Sequence, residues 1–203
     1  MMQLAEAVQS KVETTKRDLF LVYDTETSAL RNPYLVQLAC SLIDGDGKEH
    51  AAFHSIIRPD GWEIPEGATA IHGISTAMAL EVGLPVRVAV AAFLQLRAVS
   101  CATVAHNEQF DYMVIDTELK RLGITPAKVS PRRLCTMNSS IELVGLPPTE
   151  RQIKAGYKNK APKLIELHQF LFGEGFDKAH SATADVAACS RCFIELRKRM
   201  ILL

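Results

Sequence analysis

Leu19-Phe20-Leu21-Val22-Tyr23-Asp24-Thr25-Glu26-Thr27 is the stretch on which the reading of this chain turns. Residues 19–23 form an unbroken apolar run of the kind that makes a central strand covered on both faces. Two carboxylates close it. Residues two apart on a strand share a face, so Asp24 and Glu26 project together from the strand's end. Like charges held side by side repel unless something cationic sits between them. Ligands that offer only oxygen suit a hard divalent ion, Mg²⁺ or Mn²⁺. An Asp-x-Glu occurs by chance about once in a chain of ordinary composition. Its weight here comes from its place at the end of the most apolar strand.

Working outward, residues 34–43 and 50–57 are two more strand candidates, and Asp44-Gly45-Asp46-Gly47 between them is a hairpin signal. The chain therefore opens with a three-stranded antiparallel meander. After a Pro- and Gly-containing loop (59–67) the pattern alternates. Helix is expected at 85–99, strand at 101–105, helix at 108–122, a short strand at 132–135 and helix to about 143. A basic segment spans 145–162, and helices over 162–172 and 181–200 close the chain. Strands first and alternation afterwards define an α/β chain with a mixed five-stranded sheet flanked by helices. Residues 1–17 read as an N-terminal arm or weakly amphipathic helix, with Leu4, Val8, Val12 and Thr15 on one face; 18–203 read as a single domain.

Lys plus Arg and Asp plus Glu number 23 each among the 203 residues, so the formal net charge is zero. Affinity for a polyanion must then come from local patches or bound cations. No apolar run has the length of a membrane span and no signal-peptide pattern is seen. The five scattered cysteines suit a reducing, cytoplasmic setting. Cys189-x-x-Cys192 has no second pair or nearby His to complete a zinc site and reads as core.

Two further elements join the carboxylate pair. Ala105-His106-Asn107-Glu108-Gln109-Phe110-Asp111 runs from a strand end into a helix; Asn107 is placed to cap it, and Asp111 lies one turn in. His180-Ser181-Ala182-Thr183-Ala184-Asp185 opens the last helix. There, Ala182, Val186, Cys189, Phe193, Leu196 and Met200 make an apolar stripe that Asp185 borders. Five helical positions turn through about 500°, leaving His180 roughly 140° from Asp185. Both face one site only if His180 lies off the regular helix, where its imidazole is mobile enough to accept protons.

Taken together, these elements resemble the DEDDh exonucleases, the DnaQ-like group that includes the epsilon proofreading subunit and ribonuclease T. The resemblance runs from about 18 to 197. Ile71-His72-Gly73-Ile74 and Pro162-Lys163-Leu164-x-x-Leu167 match further segments of the family. It implies a ribonuclease H-like fold and 3′-to-5′ exonucleolysis with two divalent cations. By the same resemblance, Asp24, Glu26 and Asp185 hold the catalytic metal and Asp24 bridges to the second. Asp111 completes the set, and His180 is the general base. Thr25, Ile71, His72 and Asn107 are implied contacts to the terminal nucleotide.

Arg151, Lys154, Lys158, Lys160 and Lys163 follow one another with no acid between them and with Tyr157 among them. Such a segment can grip a single-stranded backbone and stack a base, which makes Tyr157, Lys158 and Lys160 binding candidates. The expected partner is nucleic acid, single-stranded DNA ahead of RNA. A non-catalytic binding module would be expected to lack one of the five site residues. Leu134-Cys135-Thr136 and the 146–162 segment depart from the family pattern, which leaves substrate choice and any polymerase or clamp partner open. Gln169-Phe170-Leu171-Phe172 faintly resembles a clamp-binding peptide but reads as helix core.

Overall fold

A computed structural model describes residues 18–125, 131–177 and 179–202. The expected helix or arm over 1–17 lies outside the described residues. Strands β1 (Phe20–Thr27), β2 (Leu35–Ile43) and β3 (Glu49–Ile56) form the antiparallel meander. Next come helices α1 (Glu66–His72), α2 (Thr76–Val82) and α3 (Val86–Val99), then β4 (Ala102–Ala105) and α4 (Glu108–Arg121). Strand β5 (Arg132–Cys135), α5 (Thr136–Ser139), α6 (Ile141–Val144), α7 (Glu150–Lys154), α8 (Leu164–Phe172) and α9 (Ala182–Lys198) complete the order. The five strands lie in the order β3-β2-β1-β4-β5, with β1, β4 and β5 parallel. The mixed five-stranded sheet expected from the pattern is the observed one.

β1 is central and serves two layers. Phe20 and Val22 join the core beneath α9; Leu21 and Tyr23 join the core beneath α3 and α4. Rings of Phe20 and Phe193 lie 5.0 Å apart on the first side, and Tyr23 and Phe93 lie 5.1 Å apart on the second. Cys189 and Cys192 are buried in the first layer, as their core reading required. The turn between β2 and β3 is set by Asp44, whose carboxylate accepts from the Asp46 and Lys48 N–H groups, and by Gly47 at φ +87°.

Several expectations need correction. Residues 66–72 and 76–82 are helices that no periodicity announced. At seven residues each they are too short to show an apolar face, and local chemistry sets their ends. Gly73 ends α1 in the left-handed region at φ +77°, and Ser75 caps α2 by accepting from the Met78 N–H. The helix expected to about 143 breaks at Ser140, whose hydroxyl donates to the Thr136 carbonyl. α7 lies inside the basic 145–162 segment, where no helix was expected. The stripe on the last helix holds through Leu196 but not at Met200, which lies beyond the helix and is 79% exposed. Leu171 and Phe172 pack on the core, whereas Phe170 is exposed.

Buried charge on α4 is neutralised at the sheet. Glu108 receives Arg133 Nε at 2.6 Å and Nη2 at 2.7 Å, with the Tyr23 hydroxyl at 3.3 Å. Glu118 accepts from the Leu35 N–H and from Arg121, whose guanidinium lies over the Tyr34 ring. Both carboxylates tie α4 to the sheet, and a lone buried charge there would be costly.

Candidate active site

The site straddles the end of β1. By the alternation of the strand, Asp24 and Glu26 follow Phe20 and Val22 toward α9, while Thr25 follows Tyr23 toward α4. On the α9 side, Glu26, His180 and Asp185 each present a ligand atom within 4.8 Å of the others. His180 precedes Ser181, the first capping position of α9, and adopts φ +68°. This off-helix placement is the one the angular argument demanded. Its N–H donates to Asp185 Oδ2 at 3.0 Å, closing the loop back onto the helix, and its side chain is exposed.

On the α4 side, Asp111 is 3% exposed. Its Oδ1 accepts two hydrogen bonds from Thr25, from the N–H at 3.0 Å and the hydroxyl at 2.7 Å. Thr25 entered as a nucleotide contact; its N–H and hydroxyl both donate to Asp111. Replacing Thr25 by Val removes the shorter bond and keeps the shape. A hydrogen bond to a charged group is worth about 1.5–3 kcal/mol, so kcat on a labelled oligonucleotide should fall about tenfold, with Thr25→Ser close to wild type. Equal rates for Thr25→Val and wild type would show that the hydroxyl does not matter.

Burial raises the pKa values of all four carboxylates, and repulsion within the site adds to it at Asp24 and Glu26. Burial drives Asp24 well above its ordinary range, and the charges of Asp111, Asp185 and Glu26 push it further. Burial, then Asp185 and Asp111, raise Glu26 to about 8. Burial raises Asp111 to about 7 against the opposing Thr25 hydrogen bonds. Asp185 is raised by burial, opposed by the His180 N–H and imidazole. Four acids forced toward protonation in one place fit a divalent cation, which removes the repulsion and favours the ionised forms. Their hard oxygen donors suit Mg²⁺ or Mn²⁺.

The remaining candidates fall into two groups. His72 ends α1 close to the site: its ring feels the Thr27 backbone and the His180 charge, and its Nδ1 accepts from the Ile74 N–H. Ile71 beside it is 60% exposed. Asn107 enters α4 at φ +72° and makes no side-chain capping bond, so the expected cap is absent. Asn tolerates this left-handed conformation better than most residues. Neighbouring His106 is structural, bridging Thr136 Oγ1 and the Pro162 carbonyl, and burial lowers its pKa to about 4. In the basic segment, Tyr157 is 62% exposed and Lys158 is exposed. Lys160 is not a free cation: its ammonium pairs with Glu166 at 2.8 Å, an acid just beyond the stretch that had looked uniformly basic.

A mixed sheet with clustered carboxylates at the end of its central strand defines a nuclease-type hydrolase fold, and comparison with known proteins names its class. The family model described as Exonuclease (RNase_T) matches residues 21–193, so the chain belongs to this DnaQ-like 3′-to-5′ exonuclease family. No curated protein sequence matches the chain. Among solved structures, *E. coli* exonuclease I with a dT13 oligonucleotide is similar with a TM-score of 0.75 at 20% identity, over 91% of this chain and 42% of that one. The zinc-bound complex of the *E. coli* enzyme with single-stranded DNA gives a TM-score of 0.73 at 20% identity, over 90% and 41%. A moderately thermophilic exonuclease I from *Methylocaldum szegediense* gives 0.70 at 20% identity, over 90% and 41%. The chain thus spans less than half the length of these structures, and at such identity the likeness is one of fold. No helix among the described residues is long and apolar enough to cross a membrane.

Proposed function

We propose that this chain removes nucleotides stepwise from the 3′ end of DNA, with a preference for single strands, using two divalent cations and a histidine base. The observation that carries this reading is the convergence of Glu26, His180 and Asp185 within 4.8 Å, with Asp24 close enough to feel the charges of Asp111, Asp185 and Glu26, and Asp111 fixed by Thr25. When bound, divalent cations would activate water, neutralise the scissile phosphate and stabilise the leaving 3′ oxygen. Asp24, Glu26, Asp111 and Asp185 would hold the cations in this reading. His180 accepts the proton of the attacking water at a ring nitrogen, which its exposed position off the helix allows.

Ile71, His72 and Asn107 surround the terminal nucleotide in this reading, and Tyr157 with Lys158 meets the strand behind it. Single-stranded DNA is favoured because two of the similar structures hold single-stranded DNA and a dT13 oligonucleotide. Five free thiols fit a cytoplasmic setting. Tyr157→Ala should weaken binding of a fluorescent oligothymidylate about tenfold by anisotropy, since stacking of one base contributes about 1–3 kcal/mol. Unchanged affinity would remove Tyr157 from the binding surface.

The decisive experiment follows 3′- and 5′-labelled DNA and RNA of one sequence over time. Stepwise shortening of DNA from the 3′ end is the expected result. Faster shortening of RNA would make the enzyme an exoribonuclease, and internal cutting would overturn the exonuclease reading.

A further inference from the structure

The N-terminus of α9 is capped from an unusual direction. The first N–H groups of a helix lack partners within the helix, and the capping residue's own side chain commonly accepts from one of them. Ser181 stands at that position but makes no side-chain cap; its hydroxyl instead lies 3.1 Å from Thr183 Oγ1. The Ala182 N–H donates to Gln37 Oε1 at 3.1 Å, across 145 residues of sequence. A backbone N–H requires an acceptor, which fixes the oxygen of the Gln37 amide on this side. Gln37 lies on β2 directly opposite Glu26 of β1. One side chain therefore joins the strand pair that carries Glu26 to the helix start that carries His180 and Asp185.

We propose that Gln37 is a positioning residue for His180: it caps α9 from the neighbouring strand and holds the His180 loop in register with Glu26. The inference rests on the exonuclease reading above. His180 lies two residues before the capped N–H, in a left-handed conformation at φ +68° that a non-glycine residue keeps only when its surroundings hold it. Asp185 Oδ2 holds the loop from the helix side through the His180 N–H, and Gln37 holds it from the sheet side. Without Gln37 the helix start keeps its bond to Asp185 but loses its tether to the sheet. The imidazole then moves relative to Glu26, and displacement of a reacting group by about 1 Å is enough to lower a rate about 100-fold.

The test is Gln37→Met, which keeps the length of the side chain and removes the acceptor. In the metal-free protein, the Ala182 amide should exchange with solvent about tenfold faster by residue-resolved hydrogen exchange, with amides in the middle of α9 unchanged. In the loaded enzyme, kcat should fall about tenfold with KM nearly constant, the pattern of an interaction realised in the transition state. In a His180→Ala background the same change should lower kcat less than about twofold, because groups that act as one unit are not additive. Three outcomes overturn the proposal: unchanged Ala182 exchange, unchanged kcat in an active enzyme, or an equal loss with and without His180. A wild-type chain that fails to shorten DNA or RNA from the 3′ end would instead defeat the exonuclease reading, and any role of Gln37 in that reaction with it; the exchange result would be independent of that failure.

Discussion

Asp24→Ala should abolish stepwise cleavage, lowering kcat by at least about a thousandfold, the upper range for loss of one charge-stabilising group in a transition state. Chelation should do the same to the wild-type protein. Asp24 feels Asp111, Asp185 and Glu26 together, so its removal disrupts the whole charge arrangement. A second consequence needs no substrate. Glu26 rises from 4.5 to about 8 and Asp111 from 3.8 to about 7 on folding. Across that window the folded chain binds more protons than the unfolded one, so the metal-free protein loses stability as pH rises through it. A bound divalent cation favours the ionised carboxylates and reverses the trend. Added Mg²⁺ should therefore raise the thermal midpoint more at about pH 8, near the Glu26 pKa, than at lower pH. Asp24→Ala should shrink this increment. Cleavage that survived Asp24→Ala, or a midpoint indifferent to Mg²⁺ at every pH, would contradict the metal assignment.

His180→Ala should lower kcat about 10²- to 10⁴-fold, the usual range for loss of a general acid or base, while divalent cations still bind. The side chain is exposed on its loop, and the bond that holds the loop to Asp185 comes from the backbone N–H, which alanine retains. The carboxylates therefore stay in place. Calorimetric titration with Mn²⁺ should give an affinity within a few-fold of wild type. A rate like that of the wild type would remove His180 from proton transfer.

Much of this site was legible because strand periodicity is simple. An apolar run ending in Asp-x-Glu fixed both the buried strand and the shared face of two carboxylates. The angular offset between His180 and Asp185 forced His180 off the helix, where it lies at φ +68°. What escaped the sequence was long-range pairing. Nothing local shows that the Thr25 hydroxyl is directed to Asp111, 86 residues away, or that Glu166 neutralises Lys160. Helices α1 and α2 were also missed, because seven residues give too few turns for an apolar face to repeat. Asn107 misled for a different reason. Asn favours both helix caps and left-handed backbone, and here only the second property is used.

The β1–β2 register acts as a ruler for the chemistry. Antiparallel pairing measures the sheet in steps of one residue, and a slip of one step would exchange the two faces of a strand. On β1 that exchange would send Thr25 toward α9 and turn Asp24 and Glu26 into the layer under α4, dismantling the site without altering a single residue in it. Pairing of β1 with β2, which sets Glu26 opposite Gln37, opposes such a slip. That register is thus under the same constraint as the carboxylates themselves.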